Sequence, residues 1–208
     1  MAVFRCFTER KPGFDIEAGT LRSELAASFG IKTDYIRIFN RYDLEGIDRS
    51  VYEKARQTIL SEPQTDFCYD EQLPELEGEY CVLAVEALPG QYDQRADSCA
   101  QCIQIMTCGE RPSVLSAKVY VFGGKLDEDE MDCIRKYLIN PVDSRQASME
   151  KPATLKQTYP IPGDIKVLDG LIKLDREDLN KLLNEYGLAM DIEDLIFLQD
   201  YFRIEKRD

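Results

Sequence analysis

Three observations on the sequence predict an α+β fold in which one β-α-β(-β)-α-β unit, with one strand or a hairpin between its helices, is used twice and a pair of helices follows. The first is an internal repeat. Val3–Glu9 and Tyr80–Glu86 both read as strands, and each runs into a turn carrying a Pro-Gly pair, Pro12-Gly13 and Pro89-Gly90. At one constant offset Glu9, Pro12 and Gly13 recur as Glu86, Pro89 and Gly90; one inserted residue later, Phe14, Asp15, Ala18 and Leu25 recur as Tyr92, Asp93, Ala96 and Ile103. The second is the regular change from strand-type runs to helical spacing within each half. The third is a break at Asn140, after which prolines punctuate a polar stretch and two amphipathic segments close the chain.

In order along the chain, Asp15 and Asp93 stand where helix N-caps are expected, each just after its turn. Tyr35–Phe39 and Lys118–Phe122 read as the next strands of the two halves. A second helix follows in each half. One spans about Arg49–Leu60 with Val51, Ala55 and Ile59 on its apolar face, and the other about Asp127–Leu138 with Met131, Ile134 and Leu138. The four acidic residues Asp127 to Glu130 suit the positive end of the latter helix. The first half closes with a short strand near Thr65–Tyr69. This order points to two ferredoxin-like split βαβ units in tandem, since pairing two small units helps bury their sheets and edges.

Beyond Asn140, Pro141, Pro152, Pro160 and Pro162 mark a semi-rigid connector. Asp175 then opens a helix with Leu179, Leu182, Leu183 and Tyr186 on one face and Gly187 as its stop, and Asp191 caps a last helix bearing Leu195, Ile196 and Phe202. The division expected is a duplicated α+β domain over residues 1–148 and a helical linker domain over 149–208.

Composition excludes several classes of function. With 26 basic and 39 acidic residues the chain carries a net charge of −13, a field that repels nucleic acid and anionic membranes. No apolar run approaches the roughly 20 residues of a membrane helix, and the first residues lack the pattern of a signal peptide. Seven cysteines in a chain of this length are expected as reduced thiols in the cytoplasm. There is no histidine, which removes Ser-His-Asp and Cys-His catalysis and every histidine-containing metal site. Gly123-Gly124-Lys125 is followed by Leu126, so it is no phosphate-binding P-loop.

Cys99 and Cys102 form the one Cys-x-x-Cys pair of "LPGQYDQRADSCAQC" (Leu88–Cys102). A redox pair needs its first thiol at a helix start, where the dipole lowers the pKa, and this pair lies several residues inside the helix. Zinc would need four ligands, and Cys108 and Cys133 lack the paired spacing that would complete the set. Ala96, Cys99, Cys102, Ile103 and Met106 follow the spacing of a buried helical face, so core cysteines are expected, with no metal and no catalytic group. Arg95 and Asp97 in that stretch, and the run Ile139–Arg145, exceed what turn and cap chemistry requires. By residue type alone they read as a solvated face with local ion pairs.

That stretch, with "YLINPVDSRQAS" (Tyr137–Ser148) and "GLAMDIEDLIFLQDYFRIEKRD" (Gly187–Asp208), resembles the N-terminal region of the long, single-chain phosphoribosylformylglycinamidine synthase family, the formylglycinamide ribonucleotide amidotransferases. "KPGFDIEAGTLRSELAASFGI" (Lys11–Ile31) and "IRIFNRYDLEGI" (Ile36–Ile47) also resemble its opening. The resemblance implies a fused dimer of an accessory subunit followed by a linker domain. Its enzyme is an ATP-dependent ligase of purine biosynthesis that uses magnesium and glutamine-derived ammonia. The synthetase and glutaminase domains would be this chain's partners, joined to it in one polypeptide. No position matches the family's synthetase or glutaminase motifs, so no catalytic residue is carried over and no cofactor is expected in this chain. What the resemblance implies is a docking role, with Tyr92, Asp93, Arg95, Asp97, Ser98, Asp143, Ser144 and Arg145 as interdomain or substrate-side contacts. Two other readings compete: a free-standing module that binds a small metabolite, and a thiol-redox or zinc protein.

Overall fold

The computed structural model describes residues 2–156, 163, 167–168 and 170–206, and the chain divides into two compact units, Met1–Thr158 and Tyr159–Asp208. Pro160 and Pro162 of the expected connector lie outside the described residues.

The first unit is α+β. Its strands are β1 (Phe4–Arg10), β2 (Ile36–Glu45), β3 (Asp66–Asp70), β4 (Tyr80–Ala87), β5 (Ser113–Gly123) and β6 (Ser144–Gln146). All pair antiparallel in one sheet of order β3-β1-β2-β5-β4-β6. The order reads the same from either edge when β1, β2 and β3 are matched with β4, β5 and β6. The long central strands β2 and β5 join the halves, with Ile36 opposite Phe122 and Leu44 opposite Val114. They exceed the expected strands by several residues at the ends nearer Glu45 and Ser113, and each stands alone between two helices rather than as a hairpin. The helices are α1 (Ile16–Phe29), α2 (Arg49–Ala55), α3 (Gln94–Thr107) and α4 (Glu128–Leu138).

Helices of different halves share the two cores on the helix-covered face of the sheet. Leu21 and Leu25 of α1 meet Met131 and Ile134 of α4 over Ile36, Leu83 and Phe122. Tyr52 and Ala55 of α2 meet Cys99 and Ile103 of α3 over Cys6, Tyr42 and Leu44. The matched positions Ala18 and Ala96, Leu21 and Cys99, and Leu25 and Ile103 are all buried.

Three local expectations need correction. Asp15 stands at the start of α1 but does not cap it; its Oδ1 accepts the Gly13 N–H at 3.0 Å. The helix expected over Arg49–Leu60 is α-helical only to Ala55, and Arg56–Leu60 forms a wider π turn. That turn moves the buried position on by one, so Leu60 enters the core and Ile59 is only half-buried; Val51, in the regular part of the helix, is also half-buried. Cys102 is exposed rather than part of the buried face of α3, which Ala96, Cys99 and Ile103 fill.

The sheet face opposite the helices is covered differently. Residues 147–155 cross it and are held by charged groups. Arg5 donates to the carbonyls of Met149 (2.7 Å) and Glu150 (3.2 Å), and Arg41 to that of Ser148 (2.6 Å). The Glu45 carboxylate accepts the Leu155 N–H at 2.8 Å and the Thr154 hydroxyl. The Leu155 N–H, against the opposing effect of burial and with help from Thr154, holds Glu45 below the usual carboxylate range. A depressed folded value means that the stabilisation is complete above the unfolded pKa of roughly 4.3 and lost as pH falls through the folded value. Glu45→Gln should therefore flatten the acid limb of stability below about pH 4.3, which urea midpoints measured at pH 7 and in acid will show; an unchanged limb would exclude this contact as its source.

The second unit holds a 3-10 turn (Leu171–Lys173), α5 (Arg176–Tyr186) and α6 (Ile192–Glu205). Asp175 and Asp191 cap the two helices through the N–H groups of Asp178 (2.9 Å) and Asp194 (2.8 Å), and Gly187 ends α5 in the left-handed conformation, as the sequence predicts. Leu179 and Leu195 are buried, and the buried Gln199 amide donates to the carbonyls of Leu171 and Leu174, both at 2.8 Å. Phe197, Tyr201 and Ile204 stay exposed along α6.

Candidate functional site

The site lies where α3 begins, above the middle of the sheet. Asp93 ends the Pro-Gly turn and caps α3 by accepting the Ala96 N–H at 2.9 Å. The same carboxylate accepts the Ser116 hydroxyl at 2.8 Å and its N–H at 3.2 Å, which ties α3 to β5. Losing the cap and its anchor together should cost about 1–2 kcal/mol. Asp93→Ala should show this in thermal unfolding, and a loss below about 0.5 kcal/mol would mean that water replaces the cap.

Arg95, one residue into the helix, is exposed and donates from Nη1 to the Tyr42 hydroxyl at 3.1 Å. Burial raises the Tyr42 pKa, and the Arg95 hydrogen bond and charge oppose the rise. Arg95 borders three adjoining clefts, all of which also touch Asn40 at the centre of β2.

The largest of these clefts has a volume of about 780 Å³. Tyr92, Asp93, Arg95 and Ser98 line it from α3 and its turn, and Asp143 and Ser144 from the loop into β6. Two of the eight candidate residues are thus turned elsewhere. Asp97 pairs with Arg111, and Arg145 pairs with Glu86 at 2.8 Å. Both face a neighbouring cleft of about 500 Å³, which Tyr92 and Asp93 share. Tyr92 is 73% exposed and its hydroxyl donates to Asp97 at 3.1 Å, a bond to a carboxylate that raises the tyrosine pKa.

The loop from Asn140 to Ser144 is built from its own polar groups. The Asn140 amide donates to Asp143 at 3.2 Å and the Ser144 hydroxyl bonds back to the Asn140 carbonyl at 3.0 Å. The Leu88 N–H donates to the Asp143 carbonyl at 2.8 Å, which joins this loop to the turn before α3. Turn chemistry thus accounts for much of the run Ile139–Arg145, and the turn presents Asp143 and Ser144 to the cleft.

Sequence reasoning missed the floor. Thr8, Asn40 and Lys118 are register partners across β1, β2 and β5, so one polar row crosses the centre of the helix-facing surface and separates the two cores on it. A signal was there: Asn40 interrupts the inward series Ile36, Ile38, Tyr42, Leu44, and Lys118 interrupts Ser116, Tyr120, Phe122. Lys118 is drawn to Glu17 of α1 at 2.7 Å.

The Cys-x-x-Cys pair has the wrong character for redox work. Burial pushes the Cys99 thiol up to about 12, further raised by Cys102 and Asp93, so its thiolate is disfavoured. Among the described residues no three histidine, cysteine or carboxylate side chains gather as a metal site. The cleft offers hydrogen-bonding and charged groups of both signs, suited to recognition by contact. Among the described residues no helix is long and apolar enough to cross a membrane. Comparison with protein-family models and with curated proteins finds no match, so the reading of this site rests on its own residues and geometry.

Proposed function

We propose that this chain is the non-catalytic N-terminal part of an enzyme of the phosphoribosylformylglycinamidine synthase type, and that it docks the ATP-dependent synthetase and glutaminase domains of the same polypeptide in the cytoplasm. One observation carries the reading. Two of the segments that resemble that family, Leu88–Cys102 and Tyr137–Ser148, lie far apart in the chain yet both contribute residues to one cleft. The palindromic strand order and the buried matched positions support the further reading that the first unit is a tandem duplication of a ferredoxin-like unit, with β2 and β5 joining the copies. The exposed apolar stripe of α6 supports a partner-seeking role for the second unit.

Antibodies raised against residues 2–156 should detect, in source cells, a polypeptide several-fold heavier than the 23.9 kDa of this chain, and loss of its gene should impose a purine requirement. A product of this size alone, in cells that grow without purines, would overturn the proposal. In the whole enzyme, Arg95→Glu should lower glutamine-dependent turnover by at least roughly tenfold, the size of one interdomain charged contact near 1.4 kcal/mol. Unchanged turnover removes Arg95 from the docking surface.

The 780 Å³ cleft also favours a second reading, a module that binds a small metabolite. Calorimetry with amino acids and purine nucleotides decides it: saturable heat at micromolar concentration supports it, and none removes it.

A further inference from the structure

We propose that Cys6 and Cys68 form a peroxide-oxidised thiol pair, a modification site separate from the cleft and from the Cys-x-x-Cys sequence. Their sulfur atoms stand 3.2 Å apart although the residues are remote in the chain. The strand pairing brings them together: Cys6 faces Asp70 across β1 and β3, and Cys68 faces Thr8, so the two cysteines are diagonal neighbours on one face of the sheet. Cys6 is fully buried, whereas Cys68 is half-buried on β3, the edge strand. The two thiols therefore differ in their access to a small oxidant while remaining in contact.

The surroundings favour a thiolate at Cys68. The Cys6 thiol donates to it, against the opposing effect of burial, and the Arg56 guanidinium adds to the stabilisation, which brings Cys68 down to about 6. Cys6 moves the other way, held protonated by its hydrogen bond to Cys68 and by burial. Arg56 Nε is a buried donor with no hydrogen-bond partner of its own. The wide turn at Arg56–Leu60 carries Arg56 and is followed by Ser61, whose hydroxyl donates to the Arg56 carbonyl at 2.5 Å.

The chemistry balances with a hydroperoxide as oxidant. The Cys68 thiolate attacks the terminal peroxide oxygen; the O–O bond breaks, the alcohol or water leaves with a proton, and Cys68 becomes a sulfenic acid. Cys6 then attacks the Cys68 sulfur. The S–O bond breaks, hydroxide leaves and takes the Cys6 proton as water, and a disulfide remains. Two thiols are oxidised by two electrons and one hydroperoxide is reduced. Cys99 and Cys102 are poorly placed for this sequence, since the buried member is held protonated without such a partner.

The test treats the whole chain with a small molar excess of hydrogen peroxide, then alkylates in denaturant and maps the peptides. Titratable thiols should fall from the seven of the sequence to five, a single Cys6–Cys68 cross-linked peptide should appear, and dithiothreitol should restore it to two free thiols. Cys68→Ser, a change at the half-exposed position, should abolish the cross-link and retain every remaining thiol under the same exposure. Cys6→Ser should stop the reaction at a Cys68 sulfenic acid that dimedone captures. Recovery of Cys6 and Cys68 as free thiols in the wild-type chain, whether Cys102 and Cys108 are oxidised or nothing is, overturns the proposal without reference to any variant.

Discussion

Asp43→Asn should lower the stability of the first unit by about 3–5 kcal/mol, more than any other single polar substitution considered, because it strands two buried guanidinium groups. Asp43 accepts from Arg5 Nε at 2.6 Å and from Arg5 Nη2 at 2.9 Å, a two-point bond that fixes both planes. Its Oδ2 also lies 3.4 Å from Arg41 Nε. The side chains of Asp43, Arg5 and Arg41 are 2%, 3% and 5% exposed, so water cannot replace the missing charge. The nearest other carboxylate, Glu86, is 3.7 Å from Arg41 and shared with Arg145. Both arginines also hold the carbonyls of residues 148–150, so the same substitution should loosen that crossing segment and increase its proteolysis. For a unit of this size the loss corresponds to a fall in Tm of roughly 6–20 °C. Removing the half-exposed Arg135 from its pairs with Glu128 and Asp132 should cost less than about 1 kcal/mol and serves as the control. Equal effects of the two changes would show that the Asp43 cluster is hydrated in solution.

Phe122→Ala should cost about 3–5 kcal/mol through lost burial and the cavity it leaves. Phe122 is fully buried on β5, opposite Ile36 and Cys81. Its ring stacks near that of Tyr120, with centroids 6.3 Å apart, and lies in the core that α1 and α4 share. Those helices come from different halves of the chain, so the substitution should reduce hydrogen-exchange protection in both α1 and α4. Protection lost in α4 alone would contradict the shared core, and a denaturation midpoint shifted by less than about 1 kcal/mol would mean that the site collapses around the smaller side chain.

Much of the local structure was legible because it is written in local chemistry. Asp93, Asp175 and Asp191 all cap the helices that they open, and Gly187 ends one of them. Strand and helix periods placed each element of the first unit near its true position except the three-residue β6. The errors were also local in origin: the wide turn at Arg56–Leu60 replaced Ile59 by Leu60 as the buried residue, and Asp15 satisfied its own turn instead of the helix. Such outcomes depend on backbone geometry that residue types do not encode one at a time.

The candidate site was half legible. The turn Leu88–Asp93 and the run Ile139–Arg145 were conspicuous as polar stretches with more charge than their turns need, but nothing local says that they face each other. Pairing of β4 with β6 and the bond from Leu88 to Asp143 bring them together, and the same long-range contacts turn Asp97 and Arg145 away into ion pairs of their own. Residue order, periodicity and capping thus determined which elements form, because these are properties of a few neighbouring residues. Strand order, the exchange of helices between cores, the buried charges beneath residues 147–155 and the contact of Cys6 with Cys68 were decided only in the folded molecule, because each depends on which distant strands share an edge.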